Sequence, residues 1–88
     1  MSWNIEYSKR AIDFTELHGM RDKVRESVKN FIIRITGSSN NIDVKKLKGE
    51  WSGYYRIRKG KVRIIVKPDI ESRTIFVDTV DFRGNVYK

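Results

Sequence analysis

Arg56, Arg58, Lys61 and Arg63 lie within one short stretch of an 88-residue chain, and their spacing says more than their number. Successive side chains of a strand point to opposite faces, so residues two apart share one. With Lys59-Gly60 as the central pair of a hairpin turn, Arg58 faces Lys61, Ile57 faces Val62, Arg56 faces Arg63 and Tyr55 faces Ile64. Tyr55, Ile57, Val62 and Ile64 then turn toward a core, and the four cations share the opposite face. Like charges directly opposite each other disfavour a sheet by up to about 1 kcal/mol per pair, so stability alone does not select this arrangement. Arginine has a planar fork that grips a phosphate or carboxylate at two points, which predicts a preformed anion site. The competing account is a solvated face that also discourages edge pairing. That role needs only one or two lysines, and acids would normally interleave.

Lys45, Lys46 and Lys48, on an irregular loop before the hairpin, extend the positive field along a nucleic-acid backbone. Individually each reads as a solvated surface lysine. At the other end, Arg83 and Tyr87 follow the last strand and are expected to return toward the cations. Tyr87 supplies a ring for base stacking as well as a hydroxyl; a tyrosine packed on the sheet edge is the equal alternative. His18, the one histidine, falls in a turn between two helices and reads as a surface residue.

The charge map agrees with this concentration. Nineteen Lys and Arg against 11 Asp and Glu leave a net charge of +8, with a pI near 10.0. Residues 1–42 carry seven basic and five acidic side chains, whereas residues 44–67 carry nine basic ones and a single acid, Glu50. Such a balance invites a polyanion.

The elements that hold these residues are legible from periodicity. Trp3 to Tyr7 alternates apolar and polar residues as a short strand. Ser8 reads as the N-cap of a helix whose apolar side is Ala11, Ile12, Phe14 and Leu17, ended by His18-Gly19. Met20, Val24, Val28, Phe31, Ile32 and Ile35 recur at helical spacing and predict a second helix from Met20 to Ile35. Strands are predicted over 53–59, 61–67 and 74–81, with the second turn at Pro68 to Arg73. The order predicts an α+β fold, two helices on one face of a mainly antiparallel sheet of about four strands, as a single domain over residues 1–88.

Composition removes other classes. The chain has no cysteine, hence no disulfide framework, zinc finger or thiol nucleophile, and a reducing cytoplasmic setting is expected. No run is long and apolar enough for a membrane span, and the amino terminus lacks signal-peptide character. A chain this short has little room for a deep cavity.

Four segments together, Leu47-Lys48-Gly49, Ser52-Gly53-Tyr54-Tyr55-Arg56-Ile57-Arg58, Val62-Arg63-Ile64-Ile65 and Phe82-Arg83-Gly84-Asn85-Val86-Tyr87, closely resemble the RelE/ParE toxin superfamily of toxin–antitoxin systems. The resemblance implies a compact microbial ribonuclease fold and, for the RelE branch, metal-independent cleavage of messenger RNA in the ribosomal A site, inhibiting translation. It also implies neutralisation by a cognate RelB-like antitoxin, expected to be acidic and partly disordered. Arg56, Arg58, Arg63, Arg83 and Tyr87 occupy the branch's functional positions. By the same resemblance Arg63 holds the phosphate, Arg83 assists the leaving oxygen, Tyr87 stacks on or orients the nucleotide, and Arg56 contacts the backbone, beside Lys45, Lys46, Lys48 and Lys61.

The chain departs from the family pattern at the general base. Arg58 stands where the well-known branch has lysine, and arginine is a poor proton acceptor. Phe82 stands where related toxins commonly have histidine. Lys61 or ribosomal RNA are the remaining sources of a base, and slow or ribosome-dependent catalysis is expected. The chain ends at Lys88, so the extra terminal helix of some relatives is not expected. Two other functions compete: a ParE-like toxin that binds DNA gyrase, and a catalytically silent basic RNA-binding module.

Overall fold

The computed structural model describes residues 2–82. Five strands and two helices follow the order β1 (Asn4–Tyr7), α1 (Lys9–Leu17), α2 (Arg21–Ile35), β2 (Asp43–Lys46), β3 (Tyr55–Lys59), β4 (Val62–Asp69) and β5 (Thr74–Phe82), with a single 3-10 turn at Gly49–Trp51. The strands form one sheet in the order β1-β5-β4-β3-β2, antiparallel except for the β1–β5 pair. The expected α+β architecture is present, with one strand more than predicted.

Ser8 starts α1 and fastens it to the sheet. Its hydroxyl accepts from the Ala11 N–H at 3.1 Å and donates to the Asp78 carbonyl at 2.6 Å, while its own N–H donates to the Val77 carbonyl at 2.9 Å. A serine oxygen at this position satisfies one of the donors that a helix start leaves open. The tie also sets the helix's rotation: Ala11 and Thr15 are buried, whereas Ile12 and Leu17, expected on the apolar side, are exposed. Gly19 turns the chain with φ +62, and α2 then buries Val24, Ser27, Val28 and Phe31.

Both helices cover the same sheet face, α1 over β5 and α2 over β3. Ala11, Val24, Val28 and Phe31 meet Ile57, Val62, Ile64, Val66, Ile75, Val77 and Val80 in one core. Each large side chain sealed there contributes roughly 1.5–3 kcal/mol. Among the described residues no helix is long and apolar enough to cross a membrane.

Three details differ from the sequence expectation. The stretch predicted as an irregular basic loop contains β2, whose four residues pair with β3 at the sheet edge. It is too short and too basic to register as a periodic strand, and forms because β3 offers it a backbone ladder. The β3–β4 turn is centred on Gly60-Lys61, so Lys59 faces Val62, Arg58 faces Arg63 and Arg56 faces Ile65. Glycine at position 60 supplies the φ of +59 that this tight turn needs. Finally, β4 runs on through Pro68 and Asp69. Proline is tolerated because β3 pairing stops at Val66, leaving β4 with a neighbour on one side only.

Candidate functional site

The turn shift displaces each β3 residue's partner by two positions, and an even displacement preserves the faces. Arg56, Arg58 and Arg63 therefore share one face as expected. Lys61 does not join them: it sits in the turn, exposed. The like-charge pair across the hairpin is Arg58 with Arg63, not Arg56 with Arg63.

Register across the sheet sorts this face into rows. One row reads Asp43 on β2, Arg58 on β3, Arg63 on β4 and Asp81 on β5. The next reads Lys45, Arg56, Ile65 and Thr79. Neighbouring strands are only about 4.8 Å apart, so each row brings its side chains within mutual reach. The pattern acid, base, base, acid corrects the expectation that no acid interleaves with the cations. Asp43 stands one residue before the basic stretch and Asp81 eighteen beyond Arg63, so neither is visible in its charge count. The sheet carries both to the flanks of the arginine pair.

Asp43 engages both arginines of β3. One carboxylate oxygen lies 3.0 Å from an Arg56 Nη and the other 2.9 Å from the Arg58 Nε. These contacts hold the two guanidinium groups at a common anion position. Ile65 lies between Arg56 and Thr79 in its row and is fully buried, although it is outside the main core beneath the helices. It gives the cation face an apolar floor, and low polarity beneath a charge strengthens its interaction with an anion.

Strand β5 keeps Asp81 on this face through a bulge. Ile65 faces Thr79 while Val66 faces Val77, so Asp78 is the extra residue. Its carboxylate accepts from Arg10 at 2.7 Å and from the Thr79 hydroxyl at 2.6 Å. Without that extra residue, the side chains beyond it would exchange faces.

The lysines take different places. Lys45 is beside Arg56 on the cation face, and Lys46 points to the opposite face of the same strand. Lys45, Lys46, Leu47, Lys48, Trp51 and Arg56 nevertheless line one hollow of about 410 Å³ at the sheet edge. Trp51, which charge and motif reasoning passed over, gives this basic hollow an aromatic wall, with Tyr54 edge-on at 5.2 Å. The signal was present as a tryptophan just after three lysines.

Phe82 packs on the helix side, its ring 5.1 Å from that of Phe14 and 4.8 Å from that of His18. His18 is exposed at the end of α1, as expected, but its imidazole is part of this aromatic cluster. Arg83 and Tyr87 lie outside the described residues.

Solved structures share this fold. A RelE–RelB complex from Pyrococcus horikoshii matches with a TM-score of 0.70 at 20% identity, covering 98% of this chain and 100% of that one. A RelB–RelE antitoxin–toxin complex from Methanococcus jannaschii matches at 0.64 and 25% identity, covering 93% and 94%. A YoeB–YefM toxin–antitoxin complex from Staphylococcus aureus matches at 0.65 and 22%, covering 94% and 99%. No family model matches the sequence, and no curated protein does. The fold is that of the RelE-like toxins, and the resemblance seen in the sequence motifs agrees with it.

Proposed function

We propose that this protein is the toxin of a toxin–antitoxin system and a ribosome-dependent endoribonuclease that cuts messenger RNA in the A site. The carrying observation is the arginine cluster: Arg56 and Arg58 already converge on a two-oxygen anion, with Arg63 beside Arg58 in the same row. In the proposed reaction a ribose 2′-oxygen attacks the adjacent phosphorus and the bond to the 5′-oxygen breaks, leaving a 2′,3′-cyclic phosphate. The 2′-hydroxyl proton passes to a base, and the departing 5′-oxygen takes up a proton. Negative charge grows on the non-bridging oxygens, where fixed guanidinium groups stabilise it most. Arg63 and Arg58 hold the phosphate, Arg56 and Lys45 the neighbouring backbone, and Arg83 assists the leaving oxygen with Tyr87 orienting the nucleotide. The chemistry is metal-independent. Lys61, set in the turn, is not the base, so ribosomal RNA is the proposed source.

Supporting the antitoxin half of the reading, a groove of about 610 Å³ runs between β1 and α2. Trp3, Ile5, Tyr7, Ile32 and Ile33 line it together with Arg21, Arg25 and Lys29. Apolar contacts flanked by three cations suit an acidic amphipathic segment, the chemistry expected of the antitoxin.

Primer extension on a message translated in vitro tests the activity. A-site cuts are expected with the unsubstituted protein and lost, by at least about 100-fold, in Arg63→Ala, since preorganised charge at the phosphate is worth that much. Lys45→Ala is expected to cost under about tenfold. Equal losses would sink the assigned site, and intact messages with inhibited DNA supercoiling would favour the gyrase-binding alternative.

A further inference from the structure

Asp43 does more than neutralise charge. It is the first residue of β2, in register with Arg58, and it spans the two arginines of β3 with one oxygen each. The Arg56 side chain is enclosed, 15% exposed, and its Nε is buried with no hydrogen-bond partner among the described residues. The Asp43 side chain is 44% exposed. One cation of the contact is therefore enclosed in protein, whereas Arg58, 39% exposed, and the carboxylate both open to solvent. Two guanidinium groups that meet a carboxylate in this way present donors equally suited to the paired oxygens of a phosphate.

We propose that Asp43 is an internal stand-in for an RNA backbone phosphate next to the reacting one: it holds Arg56 and Arg58 in gripping geometry in the free protein and is displaced when that phosphate takes its place. The inference rests on the RNA-cleaving reading above and assigns Asp43 as a positioning residue within it. Without the carboxylate, Arg56 is a largely enclosed cation with its acidic partner removed, and the row of Arg58 and Arg63 loses the acid at its β2 end. With it, the site is preformed, but an arriving phosphate meets a resident negative charge. Asp43 thus trades substrate affinity for a ready-made geometry. A displaced carboxylate also remains close enough to speed product release by repulsion.

The test is binding of a short 2′-O-methyl RNA, which cannot be cut by 2′-hydroxyl attack, measured by fluorescence anisotropy across a salt series. Asp43→Asn is expected to bind roughly fivefold more tightly at low salt, because one repulsive charge beside the phosphate is gone. Its plot of log affinity against log salt should steepen by about 0.7, since one more cation is free to release counterions from a single strand. Unchanged or weaker binding by a variant whose far-UV circular dichroism is native overturns the proposal. Should the variant not fold, NMR on the unsubstituted protein decides. The Asp43 carboxyl carbon signal should move as RNA or tripolyphosphate is added, together with the Nε–H signals of Arg56 and Arg58. A carboxyl signal that stays still with both anions overturns the stand-in role. Displacement by tripolyphosphate without any A-site cleavage sinks the RNA-cleaving reading alone and leaves the anion seat standing.

Discussion

At the residue scale, the decisive side chains are those whose environment differs from what their neighbours in sequence suggest. Asp43 adjoins a basic stretch and yet is the acid that organises it. Tyr7 is another case. Burial pushes its phenol above the ordinary value near 10, against the opposing pull of Arg25 and Arg21. A raised phenol value means that the folded state keeps the proton longer than the unfolded chain does. The stabilisation from burying Tyr7 is complete below about pH 10 and is lost as pH climbs through the folded value. Tyr7→Phe removes that dependence, so urea unfolding midpoints at about pH 8 and about pH 11 should fall less for the variant than for the unsubstituted protein. Equal falls would show that Tyr7 does not titrate with unfolding.

At the element scale, short ties decide where long elements sit. Apolar periodicity on α1 predicts Ala11, Ile12, Phe14 and Leu17 inside, but Ser8, bonded both to Ala11 and to the Asp78 carbonyl, rotates the helix so that Thr15 is buried beside Ala11 and Ile12 and Leu17 are exposed. Ser8→Ala removes a cap and a tie to the β5 bulge together, and is expected to cost about 1–2 kcal/mol. Thermal unfolding followed by circular dichroism should show a drop of roughly 4–8 °C per kcal/mol for a chain of this size. A drop below about 2 °C would mean that core packing alone orients α1. The hairpin teaches a related lesson. The sequence offers glycine to a turn centred on Lys59-Gly60 or on Gly60-Lys61, and the structure takes the second. The two registers differ by an even step, so Arg56, Arg58 and Arg63 share a face in both, whereas Lys61 moves from the strand to the point of the turn.

At the scale of the whole molecule, two charged surfaces lie on opposite sides of the fold. The arginine rows occupy the sheet face turned away from the helices, and the groove of Arg21, Arg25 and Lys29 lies between α2 and the β1 edge. The proposed antitoxin groove is therefore separate from the arginine rows. Reversing the groove charges in Arg21→Glu, Arg25→Glu, Lys29→Glu should weaken binding of an acidic amphipathic helical peptide by at least roughly tenfold, read by isothermal titration calorimetry. Undiminished affinity would place the partner elsewhere.

Local sequence already carries the α+β class, the two helices, the shared face of Arg56, Arg58 and Arg63, and the likeness to RelE-type toxins. These follow from local periodicity, from strand alternation and from motifs of adjacent residues. Packing between distant segments sets the fifth strand, the turn centre, the rotation of α1, the aromatic wall at Trp51, and the two acids flanking the arginine pair. Each depends on pairing between residues far apart in the chain: β2 is a strand because β3 is beside it, and Asp81 meets Arg63 because β5 lies against β4 with a bulge in the right place. A charge count along the chain sees a basic stretch with one acid in it. The sheet turns that stretch into a cluster of arginines, two of them held by one carboxylate.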